Sequence, residues 1–310
     1  MKKYIFKRIL ILIPTVLAVS FIVFTLMYFA PNDPASIILG SGATDAEIAK
    51  LNHELGFDLP FLQRYWNWAS NLIFHFNLGD SYITRQPVSA DVLKRLPISI
   101  TLAFFGIMGS TCIGVPFGVL SAVKQNKLIG QIPSIICIIL AAFPSFWVGM
   151  LLMYRFCYKW QLLPPFGVET MAGYILPACS IAFVYASAQM RHTRSSMLET
   201  IRQDYIRTAR AKGATESVAI WKHALRNALL PTITIIGGNF GLVIGSAIVN
   251  ESLFSIPGLG SYIISSINNR DVPAVLGGVT VLAAIYCAIL LVVDLLYAVV
   301  DPRVKARYSK

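Results

Sequence analysis

The sequence predicts an all-α membrane protein with six transmembrane helices, both termini in the cytoplasm, and a small helical extracytoplasmic subdomain between spans one and two. Of its 310 residues, 56% are hydrophobic and 13% are charged, whereas soluble domains carry roughly 25% charged residues. Apolar runs of about 20 residues, the length that crosses a bilayer core, recur along the chain. Charge in the intervening segments then predicts the orientation.

Six apolar runs are predicted spans because each is long and nearly free of charge. They cover about residues 9–29, 98–123, 132–154, 174–194, 232–254 and 275–300. The first run follows four cations, as a secretory signal would, but no small-residue cleavage site follows it, so it is expected to stay as a span. The predicted organisation is 1–30 for the N-terminus and first helix, 31–97 for the extracytoplasmic subdomain, 98–300 for a five-helix core, and 301–310 for a cytoplasmic tail.

Positive charge is concentrated in the segments that six spans would place on one side. The N-terminus, residues 124–131, residues 191–231 and the C-terminal tail hold 18 of the 26 lysines and arginines. The opposite loop, residues 30–97, holds five basic and seven acidic residues. Because basic residues favour the cytoplasmic side, both termini are predicted to be cytoplasmic. Topology and anionic membrane lipid thus explain the net charge of +11, and no nucleic-acid partner is expected.

Two short amphipathic helices are predicted between the first and second spans. Thr44 and Glu47 have the spacing of a capping box, and Gly56 is placed to end the helix that they begin. Pro60 can open a second helix. The apolar face of that helix would carry Phe61, Tyr65, Trp68 and Leu72. Its aromatic residues suit a membrane interface, and they equally suit a surface that receives a soluble binding protein, so both interpretations stay open.

Small residues recur within the spans and predict close helix packing. They are Gly106, Gly109, Gly114 and Gly118; Ala141, Ala142, Ser145 and Gly149; and Gly237, Gly238, Gly241 and Gly245. In lipid, small side chains let helix backbones approach closely, so most of these residues are predicted to pack against another helix. Gly237, Gly241 and Gly245 share one helix face, which is predicted to be a helix contact or a pore wall.

The segment 195–231 predicts a compact cytoplasmic projection of two helices. The first helix is predicted to end at Gly213, and the second to run from Thr215 to Pro231. The first helix is predicted to be amphipathic, because Met197, Ile201, Tyr205 and Thr208 recur at helical spacing with arginines elsewhere around it. The alanines at 209, 211 and 214 would let another protein approach, and the neighbouring arginines could pair with its acidic groups. The residues alone leave open a docking surface or an ordinary positively charged loop.

Polar residues within or at the ends of spans are candidates for a translocation path. Asp294 follows a long apolar run, and Glu251 lies near the outer end of the fifth span beside Asn250; Asn239 lies deeper in the same span. Ionisable groups in a membrane are costly and mark a pathway or a buried pair, so a structural role for Asp294 and Glu251 stays open. The histidines and the five cysteines are scattered, so no metal site is predicted. No phosphate-binding loop and no nucleophile–base pair is found, so no catalytic residue is predicted.

Several motifs together resemble the permeases of ABC importers, in the branch that imports peptides and nickel. Ala209, Ala211 and Gly213 match the core of the family's coupling loop, and the run from Asn227 to Pro231 matches its end. Arg207 stands where the general pattern has Glu, and the spacing from Gly213 to Pro231 is longer; both departures are usual in this branch. Further landmarks are Lys7-Arg8, the run from Glu251 to Gly260, and the run from Asp294 to Arg303.

The resemblance implies partners and a role for the projection. It implies a second homologous permease, two ATP-binding subunits and an extracytoplasmic solute-binding protein in the bacterial inner membrane. ATP would be held by the partner subunits, and no cofactor by this chain. The residues that would contact the ATPase are Asp204, Tyr205, Arg207, Ala209, Arg210, Ala211, Lys212, Gly213, Ala214 and Pro231.

The substrate is predicted less directly. The compact extracytoplasmic segment, with Gly56-Phe57-Asp58, Gly79-Asp80-Ser81-Tyr82 and Pro87-Val88, looks closer to permeases for nickel or metal chelates than to the longer dipeptide permeases. Import of nickel or a metal chelate is therefore the leading expectation, and import of di- or oligopeptides is the alternative. A secondary transporter without an ATPase and an intramembrane enzyme are the rival classes.

Overall fold

A computed structural model describes residues 2–29, 34–40 and 42–300 of the chain. Within these ranges, the structure describes the backbone alone for residues 2–9, 34, 37, 230, 294 and 296–300. The predicted tail 301–310 and the side chain of Asp294 therefore lie outside the described residues. All regular elements in the described part are helical, apart from an isolated antiparallel bridge between Asp80 and Pro87. The predicted all-α fold is confirmed.

The described residues group into two compact units. One unit comprises Lys2–Ile98 and Pro257–Cys287, and the other comprises Ser99–Ile256 and the residues from Ala288 onward. The helices that begin in the first unit are α1 (Lys2–Tyr28), α2 (Pro34–Leu39), α3 (Asp45–Glu54), α4 (Phe61–His75), α5 (Val88–Val123), α12 (Leu259–Asn268) and α13 (Val272–Val300). Those that begin in the second are α6 (Leu128–Ala141), α7 (Ser145–Met153), α8 (Ile175–Ile201), α9 (Asp204–Ala211), α10 (Glu216–Val218) and α11 (Leu225–Leu253). Two π-helical segments, Tyr154–Lys159 and Ala219–Ala224, and a 3₁₀ turn, Met171–Tyr174, complete the second unit.

Five helices in the described part are long and apolar enough to cross a membrane, and a bent pair brings the number to six if it counts as one span. The bent pair is the predicted third span, 132–154, which is not one straight helix. α6 ends at Ala141, and the next helical segment, Ser145–Lys159, turns away by 99°. Pro144 explains the break, because proline cannot donate a helical hydrogen bond and disfavours helical backbone in the residue before it.

Glycines in α5 pack directly against α8, as predicted. A methyl group at Gly106, Gly109, Gly114 or Gly118 would come within 2.6 to 2.9 Å of an α8 atom. Contacts this close leave room only for hydrogen, so these glycines allow the two backbones to approach. On α11, Gly237 packs in the same way on Val293, whereas nothing lies within 4 Å of a methyl group at Gly245. The face that Gly237 and Gly245 share therefore does not pack against another helix along its whole length, as far as the described residues show.

The predicted helix boundaries in the segment 195–231 are partly wrong. The chain breaks at Arg202–Gln203, so Met197 and Ile201 belong to α8 whereas Tyr205 and Thr208 belong to α9. The second helix does not end at Pro231, which lies inside α11. A proline within a helix loses one backbone hydrogen bond; next to it, the Thr232 hydroxyl donates to the Ala228 carbonyl at 3.0 Å.

The two short helices predicted between the first and second spans form as expected. Thr44 and Glu47 make both hydrogen bonds of the capping box at the start of α3, and Gly56 has a positive φ of 71° after its end. On α4, the Tyr65 hydroxyl donates to the Leu17 carbonyl of α1 at 3.0 Å. The rings of Phe61 and Tyr65 contact Phe24, and Trp68 packs against the cluster that contains Phe24. This segment is therefore fixed to α1 by an aromatic face.

Candidate docking surface at the Gly213 turn

The turn after α9 has the geometry that glycine favours. Gly213 has a φ of 84°, in the left-handed region. The amide of Ala214 donates to the Ala209 carbonyl at 3.1 Å, and the amide of Gly213 donates to the Arg210 carbonyl at 3.0 Å. These two bonds form a Schellman motif, which closes a helix through a left-handed residue. The predicted helix end at Gly213 is confirmed.

A second helix starts directly after this turn. Thr215 caps it: its hydroxyl accepts a hydrogen bond from the Val218 amide at 3.4 Å. From Glu216 the helix runs through α10 and the π-helical segment into α11. π-helical segments carry an extra residue and often occur at functional sites. The turn thus joins α9 to a helix that enters the membrane.

An ion pair closes the turn from outside. The guanidinium of Arg210 donates through Nε and Nη2 to the two carboxylate oxygens of Glu216, at 2.9 and 2.7 Å. This hydrogen bonding lowers the pKa of Glu216 below its usual value and raises that of Arg210. The sequence-based suggestion that the arginines pair with an acidic partner therefore does not fit Arg210, which is engaged within the chain. Arg207 is exposed and has only a loose contact with Asp204, at 3.8 Å.

One side of α9 is anchored in the core of the second unit. Ile206 is completely buried. It belongs to a cluster formed by α5, α8 and the helix after the turn, whose other members are Val119, Ala122, Met197, Ile220, Ala224 and Ala228. Asn227 adds a polar link, since its side-chain amide donates to the Tyr205 hydroxyl at 3.0 Å. The position of α9 is thus coupled to three membrane helices.

The other side of α9 faces outward. Ala211, Lys212 and Gly213 are exposed, and Ala209 and Ala214 are half-buried. No side chain larger than alanine separates the backbone from an approaching surface at 211 and 213, so another protein can come close there. Of the ten residues predicted to contact an ATPase, the structure brings nine together on α9 and its turn. Pro231 lies apart, one helical turn beyond Asn227 in α11.

The sequence did not predict how Ile206, Glu216 and Asn227 hold this surface in place, although Asn227 opens the motif that runs to Pro231. Ile206, Glu216 and Asn227 lie outside the pattern of small and basic residues that marked the segment. Ile206 carried a detectable signal, because it is a large apolar residue within a stretch that is otherwise polar and small. The pairing of Arg210 with Glu216 depends on the turn geometry and has no pattern of its own in the sequence.

Two of the four residues proposed for a translocation path, Asn250 and Glu251, are buried and hydrogen-bonded to other helices. Asn250 is completely enclosed: its amide donates to Ser145 and to the Ser246 carbonyl, both at 3.0 Å, and its carbonyl accepts from Ser180 at 2.9 Å. Glu251 is 1% exposed and accepts a hydrogen bond from the Ser99 hydroxyl. Asn250 thus links α11 to α7 and α8, and Glu251 links α11 to α5. Asn239 has an enclosed amide nitrogen with no hydrogen-bond partner among the described residues.

The sequence matches one protein family over nearly its full length. Residues 114–306 match the family described as binding-protein-dependent transport system inner membrane component. Residues 1–103 match the N-terminal region of the membrane component of such systems. The landmarks identified in the sequence, including the Gly213 turn, fall within these two matches.

Full-length relatives agree with the family match. The chain is 35% identical over 305 residues to the glutathione transport system permease protein GsiC of Salmonella typhimurium (strain LT2). It is 34% identical over 305 residues to the protein of the same name from Escherichia coli (strain K12). Each alignment covers 98% of this chain and 99% of the relative.

Solved structures share the fold. The inward-facing MetNI methionine ABC transporter gives a TM-score of 0.57 at 18% identity, covering 68% of this chain and 97% of that chain. An amino acid ABC transporter crystallised with histidines gives 0.51 at 17% identity, covering 69% and 94%. The chain therefore belongs to the family of inner-membrane components of binding-protein-dependent transport systems, in its peptide- and nickel-type branch, and is a permease subunit of an ABC importer of the bacterial inner membrane.

Proposed function

We propose that this permease imports short peptides of the glutathione class. The whole-length similarity to glutathione permeases supports this substrate. Import of nickel or a metal chelate, the leading expectation from the sequence, remains the second candidate, because the compact extracytoplasmic segment favoured it. Family membership removes the support for a secondary transporter and for an intramembrane enzyme.

The proposed assembly contains a second homologous permease, two ATP-binding subunits and an extracytoplasmic solute-binding protein. The family implies ATPase partners and a binding protein in general; their number belongs to the proposal. ATP is bound and hydrolysed by the partners, since neither a phosphate-binding loop nor a catalytic pair is recognised in this sequence.

The outward side of α9 is the proposed contact with an ATPase. The observation that carries this assignment is the two-sided environment of α9: Ile206 is buried in the core, whereas Lys212 and Gly213 are exposed. A short helix that is packed on the core on one side and exposed on the other can pass the movement of a bound partner to the membrane helices. In the proposed cycle, ATP binding closes the ATPases, displaces α9 and moves the packed helices between inward-open and outward-open forms.

Photo-crosslinking tests the contact. A photoreactive phenylalanine analogue in place of Lys212 is expected to crosslink to the ATPase in membranes. The same analogue in place of Lys159, which is exposed at the end of the π-helical segment after α7, serves as the control and should not. Absence of the ATPase adduct at 212 in an assembly that still transports would refute the contact.

Uptake measurements test the substrate. Cells with a deleted and a restored copy of this gene are compared for uptake of labelled glutathione, a labelled dipeptide and radioactive nickel. Restored uptake of glutathione or the dipeptide alone supports the proposal. Restored uptake of nickel alone, with peptides unaffected, would replace it by the metal candidate.

A further inference from the structure

Two aromatic rings stack at the break in the third span. The backbone is not regularly helical between the end of α6 at Ala141 and the start of α7 at Ser145, and the helical segments on either side differ in direction by 99°. Phe143 lies in the break and Trp147 in the first turn of α7, and their ring centroids are 4.3 Å apart with an angle of 13° between the planes. α7 has no side-chain cap, so its first amides have no partner within the helix.

The helix after the break has a buried side and an exposed side. Ser145, Val148 and Gly149 are buried. The Ser145 hydroxyl accepts a hydrogen bond from the Asn250 side chain at 3.0 Å, and a methyl group at Gly149 would lie 3.0 Å from the Phe254 ring. The exposed residues on the other side are Phe146, Trp147, Met150 and Leu151. The buried side thus fixes α7 to α11, and the described chain leaves the opposite side uncovered.

The exposed side of α7 continues into a cavity of about 370 Å³. The cavity is lined by Met150, Met153, Tyr154, Cys157, Tyr158 and Pro165. Tyr154 and Tyr158 belong to the π-helical segment, and their rings stack with centroids 5.7 Å apart. Pockets for small molecules commonly have about 300–1,000 Å³, and π-helical segments often occur at functional sites. The volume of this cavity therefore suits a small solute.

The position of the break limits what can cover this side. α6 has 14 residues, which is about 21 Å of helix, so the break lies within a hydrocarbon core of about 30 Å. Non-helical backbone at this depth occurs only where protein covers it or water reaches it, because hydrocarbon cannot bond to its amides and carbonyls. Lipid alone is thus excluded as the covering medium. A closely packed protein surface would also have to fill the cavity, whereas water and a passing solute suit both features.

We propose that one face of the third span, from Phe143 and Trp147 to the cavity at Tyr154 and Tyr158, lines the translocation path. The proposal rests on the role of the chain as a permease and deepens it, but it does not depend on which solute is imported. Asn250 holds this face in place from the buried side.

The chemistry of the face suits short peptides with varied side chains. Thioethers adapt to ligands of different shape, and a phenol hydroxyl can both donate to and accept from a peptide group. Neither the Tyr154 nor the Tyr158 hydroxyl makes a hydrogen bond within the described part of the chain. No acidic or basic residue lines the cavity, so the charge of the solute is not selected there.

Thiol labelling tests whether water reaches this face. The complete assembly, with the five native cysteines of this chain replaced by serine, is placed in nanodiscs after either Trp147→Cys or Ile135→Cys. Ile135 is 55% exposed but lies inside the unbroken part of α6. A small, permanently charged methanethiosulfonate should modify Trp147→Cys about tenfold faster or more, because hydrocarbon excludes a charged reagent. Trapping the ATPases closed with vanadate should change the rate at 147 severalfold and leave that at 135 unaltered.

The native chain supplies a second labelling measurement without any substitution. Cys157 lines the cavity and is half-buried, whereas Cys137 is buried on α6. The reagent should modify Cys157, with the same dependence on vanadate, and spare Cys137. If Trp147→Cys reacts no faster than Ile135→Cys and Cys157 stays unmodified, a partner protein covers this face and the proposal fails. Labelling is measured without solute, so an error in the proposed substrate would alter uptake in wild type but not these rates.

Transport measurements separate the path from packing. Trp147→Ala should lower the uptake rate severalfold while assembly with the ATPase and the melting temperature stay unchanged, and Trp147→Phe should keep most uptake because it retains a ring. Ser145→Ala removes the Asn250 contact on the buried side and should lower the melting temperature instead. If Trp147→Ala lowers the melting temperature as much as Ser145→Ala does and leaves uptake per folded assembly unchanged, Trp147 serves packing and the assignment is overturned.

Discussion

Arg210 and Glu216 form a two-point ion pair across the turn at Gly213, with N–O distances of 2.9 and 2.7 Å. The pair joins the last turn of α9 to the first turn of the following helix. A planar guanidinium that binds both oxygens of a carboxylate fixes orientation as well as distance. The loop is thus closed by side chains in addition to its backbone bonds, and α9 and the helix after it are expected to move as one body.

Opening this ion pair should weaken coupling more than stability. Exposed ion pairs contribute about 0.2–1 kcal/mol, so Arg210→Ala and Glu216→Ala are expected to change the melting temperature little. Stimulation of the ATPase by the permease should fall severalfold, because the turn can then flex. Glu54→Gln is the control, since it opens an exposed ion pair with Lys50, at 3.9 Å, that lies outside the turn. Unchanged ATPase stimulation in both alanine variants would contradict this role.

The same ion pair has a defined pH dependence. Hydrogen bonding from Arg210 lowers the pKa of Glu216 from its usual value of 4.5. The contribution of the pair is therefore fully present above pH 4.5 and is lost only as the pH falls through the lowered pKa. The difference in ATPase stimulation between wild type and Glu216→Gln should stay constant between about pH 6 and 8. A difference that changes across this range would show that another group titrates at the turn.

Replacing Gly213 should act through its backbone. A methyl group there would meet no atom within 4 Å, but the φ of 84° costs other residues about 1 kcal/mol. Gly213→Ala should lower ATPase stimulation moderately, Gly213→Asn less, and Gly213→Glu should abolish association while membrane insertion stays normal. Gly167→Ala is a matched control, because Gly167 has a φ of 76° and equally open surroundings. Normal transport by Gly213→Glu would count against the docking surface.

Ile206 should link α9 to the membrane helices. Because it is completely buried, Ile206→Ala leaves a cavity and should cost about 2–5 kcal/mol, whereas Ile206→Val should cost about 0.5–1.5 kcal/mol. With the anchor loosened, ATP hydrolysis is expected to continue while uptake falls. Thermal denaturation and uptake measured together check this expectation. Equal loss of uptake in Ile206→Val and Ile206→Ala would mean that cavity size does not matter.

Much of this fold could be predicted because its main signals are local. Length and lack of charge identify spans, and the capping box at Thr44 and the stops at Gly56 and Gly213 depend on a few neighbouring residues. The end of α8 before Gln203 and the continuation of α11 through Pro231 were not predicted. Both depend on packing: burial of Ile206 requires a break that turns α9 onto the core, and packing outweighs the bond lost at Pro231.

The sequence predicted which types of residue form the docking surface, but not which contacts hold that surface in place. Small residues and cations indicated its outward side, where these residues are exposed and make few contacts with the rest of the chain. The inward side depends on Ile206 and Asn227, and the turn is closed from outside by Glu216; the partners of these residues are distant in sequence or across the turn. For the same reason, the sequence alone left open whether Glu251 lies on a path or holds helices together. In the structure its carboxylate accepts a hydrogen bond from the Ser99 hydroxyl.

Asn250 should prove to be a structural residue. Its amide joins Ser145 and Ser180 at 3.0 and 2.9 Å, and its side chain is completely enclosed. Asn250→Ala removes partners from buried hydroxyls and should cost about 1–3 kcal/mol, measured as a lower melting temperature in detergent. Ser252→Ala, at an exposed position on the same helix, should leave the melting temperature unchanged. If Asn250→Ala instead abolishes uptake at unchanged stability, the residue acts in the transport cycle itself and the structural assignment is wrong.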